Sequence, residues 1–455
     1  MTKDSHLSSK DVLESSLLHR SLTAAPAIVT KTSGPYLYLS NGEKILDGCG
    51  GAAVISVGHS NPEVVKAVSD QLSQVSYIHT SDYTTSVSEK LANKLLEKYQ
   101  DKLSKVYFVN SGSEANEAAV KLATQYFFEQ GKTSKSHFIS RNQSYHGNCL
   151  AGLSLSGFPA RRVPYEQIIS DIFHKVDPAY EYRYKHKAET TEEYVKRLAD
   201  QLEQEILQIG PENVAGFFAE TVVGATTGCV TAPKGYFKAI QKVCQKYDVL
   251  LILDEIMCGS GRTGTFFAWE QEGIVPDITT AGKALGSGYS PLAAVFITPK
   301  IIDVLKKGSS AFVNGHTYQC FSLSSAAGLA VQTIIERDGL LTNVLEMGTY
   351  LEIKLKEKLS QFDIVGDIRG RGLFWGVEFV KDKRTLEPLD PSLKSGPKIQ
   401  SLILKRGVAV YPGFGTKDGY SGDHILIAPS FDVTKDQIDI IVDTIAQGIT
   451  DYIDI

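Results

Sequence analysis

Val249-Leu250-Leu251-Ile252-Leu253-Asp254-Glu255 places five consecutive aliphatic residues ahead of two carboxylates. A run that short and that apolar reads as a strand buried on both faces, as in a parallel sheet covered by helices. Val106-Tyr107-Phe108-Val109, His137-Phe138-Ile139 and Ala215-Gly216-Phe217-Phe218-Ala219 are runs of the same kind. Stretches of helical spacing lie between them. In 235–247, for instance, Phe237, Ile240, Cys244 and Tyr247 share one face by the three- and four-residue rule. Strands alternating with amphipathic helices imply βαβ units and an α/β fold with a mostly parallel sheet.

Outward from this block the pattern changes. Residues 171–212 are polar and helical, with 192–207 rich in Glu, Lys, Arg, Leu and Gln, and they read as an insertion or surface helix. Beyond residue 320 come helical stretches at 324–337 and 343–359, a strand-like 373–380 and a last helix from Thr434. Together with the first 60 residues this tail suggests a smaller α+β domain. The expected division is 1–60 and 321–455 for that domain, with 61–320 as the large one.

Composition narrows the function classes. The 455 residues are 42% hydrophobic and 22% charged, which excludes a disordered chain. Lys plus Arg at 47 against Asp plus Glu at 52 leaves a net charge of −5 and no basic tract to follow a phosphate backbone, so no nucleic-acid partner is expected. The longest apolar run, 292–297, is far short of the roughly 18 residues that span a bilayer. Six cysteines without a CxxC pair point to neither a metal site nor a disulfide framework. Residues 1–21 carry Asp4, Asp11 and Glu14 and lack an apolar core, unlike a secretory signal. A cytoplasmic location is the expectation.

Ligands of open α/β sheets sit outside the carboxyl ends of the strands, so the residues just after each run carry the information. Ser111-Gly112-Ser113 opens a helix whose Ala115, Ala118, Ala119, Leu122 and Ala123 form a small-residue face. Free amides at such a helix start suit a phosphate. The same residues also read as a Ser N-cap with Glu114 closing a capping box. Tyr145-His146-Gly147 follows the next run, and Glu220 and Asp254-Glu255 follow the two after it. Each acid reads as a cleft carboxylate or as a helix cap. Lys283 lies among small residues in Gly282-Lys283-Ala284-Leu285-Gly286; alone it reads as a solvated lysine. A phosphate cradle, an aromatic platform, a buried acid and a lysine at successive strand ends are together the parts that hold pyridoxal 5'-phosphate (PLP). Lys283 would form the Schiff base and Asp254 would keep the pyridine nitrogen protonated. Tyr145 would stack on the ring, and 111–113 would hold the phosphate.

The sequence resembles the class III PLP-dependent aminotransferases of fold type I over nearly its whole length. The likeness runs from Gly34-Pro35-Tyr36-Leu37-Tyr38 through Gly58-His59-Ser60-Asn61-Pro62 to the C-terminal part, and is most specific in Leu253-Asp254-Glu255-Ile256-Met257-Cys258-Gly259-Ser260-Gly261-Arg262-Thr263-Gly264 and in Gly282-Lys283-Ala284-Leu285-Gly286-Ser287-Gly288. The resemblance implies Lys283 as the cofactor-bonding lysine, Asp254 as partner of the pyridine nitrogen and Ile256 packed behind the ring. It implies Ser111, Gly112 and Ser113 as the phosphate loop, Tyr145 and His146 as the ring-stacking motif, and Glu220 as an active-site carboxylate. In Gly315-His316-Thr317-Tyr318 it implies that Thr317 reaches the phosphate of a neighbouring subunit, hence a homodimer with shared active sites. Two segments depart from the family: Phe321-Ser322 replaces a common His-Pro pair, and Thr221-Val222 follows Glu220 where many relatives have proline.

The implied activity is ping-pong transfer of an amino group from an amino acid or amine to a keto acid, with no metal. Another PLP reaction on the same fold (aminomutase, decarboxylase or phospho-lyase) is the alternative, and a catalytically silent binding protein is a third reading. The segment 407–429 resembles the branch of ω-amino-acid and amine transaminases and has no arginine where some relatives place a carboxylate clamp. Donors with a terminal amine, either ω-amino acids or primary amines, are therefore expected, with pyruvate or a similar small keto acid as acceptor. Lys417, His424 or an arginine elsewhere in the fold would change that expectation by supplying the clamp.

Overall fold

The structure, a computed structural model, describes residues 12–455. The reading of 1–21 as free of a targeting segment therefore lies partly outside the described residues. Seven strands form the large sheet: β1 (Lys105–Val109), β2 (His137–Arg141), β3 (Phe173–Val176), β4 (Val214–Glu220), β5 (Leu250–Glu255), β6 (Ile278–Ala281) and β7 (Ala293–Ile297). Their spatial order is β1-β7-β6-β5-β4-β2-β3. β5 is parallel to β6 and β4, and β2 is parallel to β4 and β3. Only β7 runs antiparallel to its neighbours in this sheet. It follows β6 directly, with no long helix between them to cross over the sheet, so the chain turns back alongside.

β5 shows why the apolar run is uninterrupted. Leu250 and Ile252 pack with α1 (Gly112–Phe128) through Ala115, Ala119 and Leu122. Leu251 and Leu253 pack on the opposite face, with α2 (Thr191–Ile209) and α3 (Tyr236–Lys246). Side chains alternate along a strand, so Asp254 belongs to the α1 face and Glu255 to the other. The two adjacent acids therefore enter different environments.

One expectation is corrected here. The segment 171–212 is not an insertion: it supplies edge strand β3 and then α2, which carries the chain back to β4. Tyr194, Leu198, Leu202 and Ile206 recur every four residues and are buried in the core. The polar composition belongs to the solvent face of an amphipathic helix.

After β7 the chain forms α4 (Ser322–Arg337) and α5 (Leu340–Leu359), then a four-stranded antiparallel sheet of Val365–Arg371, Phe374–Phe379, Asp423–Ile427 and Tyr411–Phe414. α6 (Lys435–Ile453) shares one apolar core with α5 and the inner strands of this sheet. N-terminal strand Lys44–Asp47 pairs in parallel with Val408–Ala409, Leu46 opposite Val408. On that pairing of the two chain ends we propose the smaller unit as 12–60 with 321–455. Among the described residues, no helix is long and apolar enough to cross a membrane.

Candidate active site

A cavity of about 300 Å³ opens at the carboxyl ends of β4, β5 and β6. Lys283, Asp254 and Glu220 line it, as do Gly112, Ser113, Tyr145, His146 and Ile256. Two expected residues lie elsewhere. Ser111 is exposed and is the N-cap of α1: its hydroxyl accepts the Glu114 amide at 3.2 Å, and Glu114 returns a carboxylate oxygen to the Ser111 amide at 3.1 Å. The capping-box reading thus applies to Ser111, while Gly112 and Ser113 line the cavity. Thr317 lies exposed in a loop outside this cavity.

Asp254 is the most constrained acid. One carboxylate oxygen accepts the Asn116 amide nitrogen at 2.8 Å and His146 Nδ1 at 2.8 Å, and the other accepts the Ile256 amide at 3.0 Å. A carboxylate offers about four acceptor positions, so three internal donors leave one for a ligand. Glu255, on the other face, takes the Thr221 hydroxyl and the amides of Ala268 and Trp269. Burial pushes its carboxyl up to about 8. It is the capping acid, and the ambiguity between the pair is resolved by strand parity.

Asn116 was not among the residues singled out from sequence. It sits on the buried side of α1, donates to Asp254 and to the His146 carbonyl, and accepts the Thr280 hydroxyl at 2.7 Å. That last bond fixes which end of the amide faces the acid. The available signal was an Asn one turn into an Ala-rich helix face, three residues after Ser113.

Lys283 follows Gly282 at the end of β6 with φ +47. Burial lowers its ammonium to about 8, against the opposing pull of Asp254 and Glu220. Glu220 is buried, and desolvation raises its carboxyl. Its two oxygens accept the Tyr145 amide at 3.0 Å and the Gly224 amide at 2.9 Å. Gly112 is required by contact: a Cβ there would lie 2.8 Å from Ile256 Cγ2.

The outer wall is tied down by Gln143, also unforeseen. It is buried at φ +59 and donates to the carbonyls of Gly415 and Thr416 at 3.2 and 3.1 Å. Its own carbonyl accepts the Thr226 hydroxyl at 2.6 Å. Thr226 and strand Tyr411–Phe414 both border the cavity. Of the cations considered for a clamp, His424 is buried, pushed down to about 3, and donates to the Ala225 carbonyl. Lys417 lies outside the cavity, whereas Arg20 and Arg161 line it.

The chemistry of this donor set fits PLP. The first-turn amides of Gly112 and Ser113 have no intrahelical acceptor, and both residues line the cavity, which suits a phosphate. His146 Nε2 is buried without a hydrogen-bond partner, and Asp254 keeps an open acceptor position beside it. Sheet order and strand-end constellation together define the fold type I class of PLP-dependent enzymes.

The chain belongs to the class III aminotransferases, whose family model matches residues 18–449. It is 47% identical over 97% of its length to an uncharacterised aminotransferase of Schizosaccharomyces pombe, covering 96% of that protein. It is 36% identical to the chloroplastic gamma aminobutyrate transaminase 3 of Solanum lycopersicum, over 91% of this chain and 78% of that one. Among solved structures, an (S)-enantioselective ω-transaminase from Thermomicrobium roseum superposes with a TM-score of 0.91 at 31% identity, covering 98% of each chain. The protein is an aminotransferase of a PLP-dependent family; an amine transaminase similar to it, from an uncultivated Pseudomonas species, has been solved in a PLP-bound form.

Proposed function

We propose that this aminotransferase holds PLP in the cavity and takes amino groups from donors whose reacting amine is terminal. The observation that carries the reading is Lys283 and Asp254 facing one enclosed space, the lysine desolvated and the acid held by three donors. When bound, PLP supplies a carbonyl for the amine and a ring that delocalises the electron pair left behind by a departing proton.

The chain supplies the rest. With its ammonium near 8, Lys283 is partly free amine at neutral pH; Nζ then bonds a carbonyl or takes a proton from the substrate carbon and returns it. Asp254 stays oriented by Asn116, His146 and the Ile256 amide, so its open lone pair would hold a ring N–H. Gly112 and Ser113 would receive the phosphate, and Tyr145 and Ile256 would flank the ring. Glu220, its oxygens occupied by backbone amides, shapes the substrate side.

Relatives named for gamma aminobutyrate and diaminobutyrate transamination support a terminal-amine donor. A donor screen on the purified holoenzyme tests this. β-Alanine or 4-aminobutyrate is expected to exceed alanine and glutamate at least about tenfold in keto-product formation, and a preference for the latter pair would overturn it.

The same proposal makes the active unit a homodimer, with Thr317 meeting the phosphate of a second copy. In support, Thr317 is exposed next to Tyr318, itself exposed, whose ring lies 6.0 Å from that of exposed Tyr77. Thr317→Ala is expected to weaken cofactor retention about tenfold, the effect of one charge-assisted hydrogen bond. A fully active monomer by light scattering would contradict this. The proposal also keeps the enzyme in a reducing cytoplasmic compartment, where thiols such as Cys49, Cys229, Cys244 and Cys258 persist.

A further inference from the structure

Charge is unevenly spread around the cavity. Its acids are partly engaged by the protein: Asp254 accepts three donors, and each oxygen of Glu220 accepts a backbone amide. Besides Lys283, its cations are Arg20 and Arg161. Among the described residues neither guanidinium has a carboxylate or hydrogen-bond partner. The contrast with the next residue is direct, because Arg162 donates to the Ser156 carbonyl at 3.0 Å and lies 3.4 Å from Glu166. Arg162 thus holds the wall together, whereas Arg161 is exposed at the cavity and makes no such bond.

Arg161 is nevertheless positioned. Its guanidinium carbon stands 5.1 Å from the centroid of the Tyr145 ring. Such a contact restrains the cation through its face and leaves the N–H fork along its edge available for a planar oxyanion. Arg20 lines the same cavity, and its charge reaches Tyr145. This wall comes from the short helix Pro159–Arg162 and the N-terminal segment, not from 407–429, where a clamp was sought and found missing.

Resting on the aminotransferase reading above, we propose that Arg161, assisted by Arg20, forms a carboxylate subsite that makes a remote carboxylate a requirement of the amino donor. ω-Amino acids are then good donors and uncharged primary amines of the same length poor ones, which separates two classes that the missing C-terminal arginine left together. An uncharged amine places nothing against the two cations, whereas a carboxylate meets a guanidinium that already rests against Tyr145.

The test compares matched donors on the holoenzyme: 4-aminobutyrate with butylamine, and β-alanine with propylamine. Wild type is expected to favour the acid of each pair by about 100-fold in kcat/KM. Arg161→Gln should lower that ratio about 30-fold, chiefly through KM, with Arg161→Lys recovering part and Arg20→Gln giving a smaller drop. Binding of butyrate, followed calorimetrically without turnover, should weaken about tenfold in Arg161→Gln. An unchanged donor ratio together with unchanged butyrate affinity would overturn the subsite while leaving amino transfer intact. Failure of wild type to deaminate any donor would instead overturn the reading on which it rests.

Discussion

Lys283→Ala is expected to lower turnover about a thousandfold or more while leaving the fold and the affinity for PLP phosphate largely in place. General acid–base catalysis alone contributes about 10²–10⁴-fold, and alanine removes the bonding amine as well. Among the described residues Lys283 makes no side-chain hydrogen bond that holds the wall together, and Gly112 and Ser113, proposed for the phosphate, belong to a separate helix. Its ammonium lies near 8 because burial disfavours the charged form. Any step that uses the free amine should therefore gain rate as pH rises through that value and lose it below. Added methylamine should restore part of the activity of the alanine variant, since a small amine fits the vacated space. Activity within tenfold of wild type, with no rescue, would remove Lys283 from the chemistry.

Asp254→Asn is the second large effect, an expected loss of about 10²–10³-fold in kcat, the range for deleting one preorganised electrostatic group. The substitution preserves volume but replaces an acceptor-only group with an amide. That amide would turn a donor toward Asn116, His146 or the cavity. Asn116→Ala should do less, about tenfold, because it loosens the acid without discharging it. The two variants together separate charge from position: equal losses would mean that Asp254 acts only as a hydrogen-bonded support.

The strand ends were legible because both faces of the large sheet are covered, which forces continuous apolar runs that stop abruptly at the cleft. Lys283, Asp254 and Tyr145 could be placed for that reason. The roles of Asp254 and Glu255 could not be told apart without knowing which face each meets, and strand parity supplied the answer. Asn116 and Gln143 act entirely through tertiary contacts, Asn116 on strand-end groups at 146, 254 and 280 and Gln143 on 226, 415 and 416. Nothing in their local sequence announces such contacts. Within 171–212 the surface helix is present as α2, but its place in the core was hidden because composition averages the buried side of a helix with its wet side. Arg161 escaped notice because it is exposed, like most arginines in such turns, and only the fold brings it beside Tyr145.

The central claim is that the amino group stays on the enzyme between two half-reactions. Mixing the holoenzyme with ¹⁵N-labelled 4-aminobutyrate in the absence of any keto acid tests it directly. The account predicts one equivalent of keto product per active site and no free ammonia, followed by one equivalent of labelled alanine when pyruvate is added. Continued turnover without an acceptor, or release of ammonia or carbon dioxide, would contradict it.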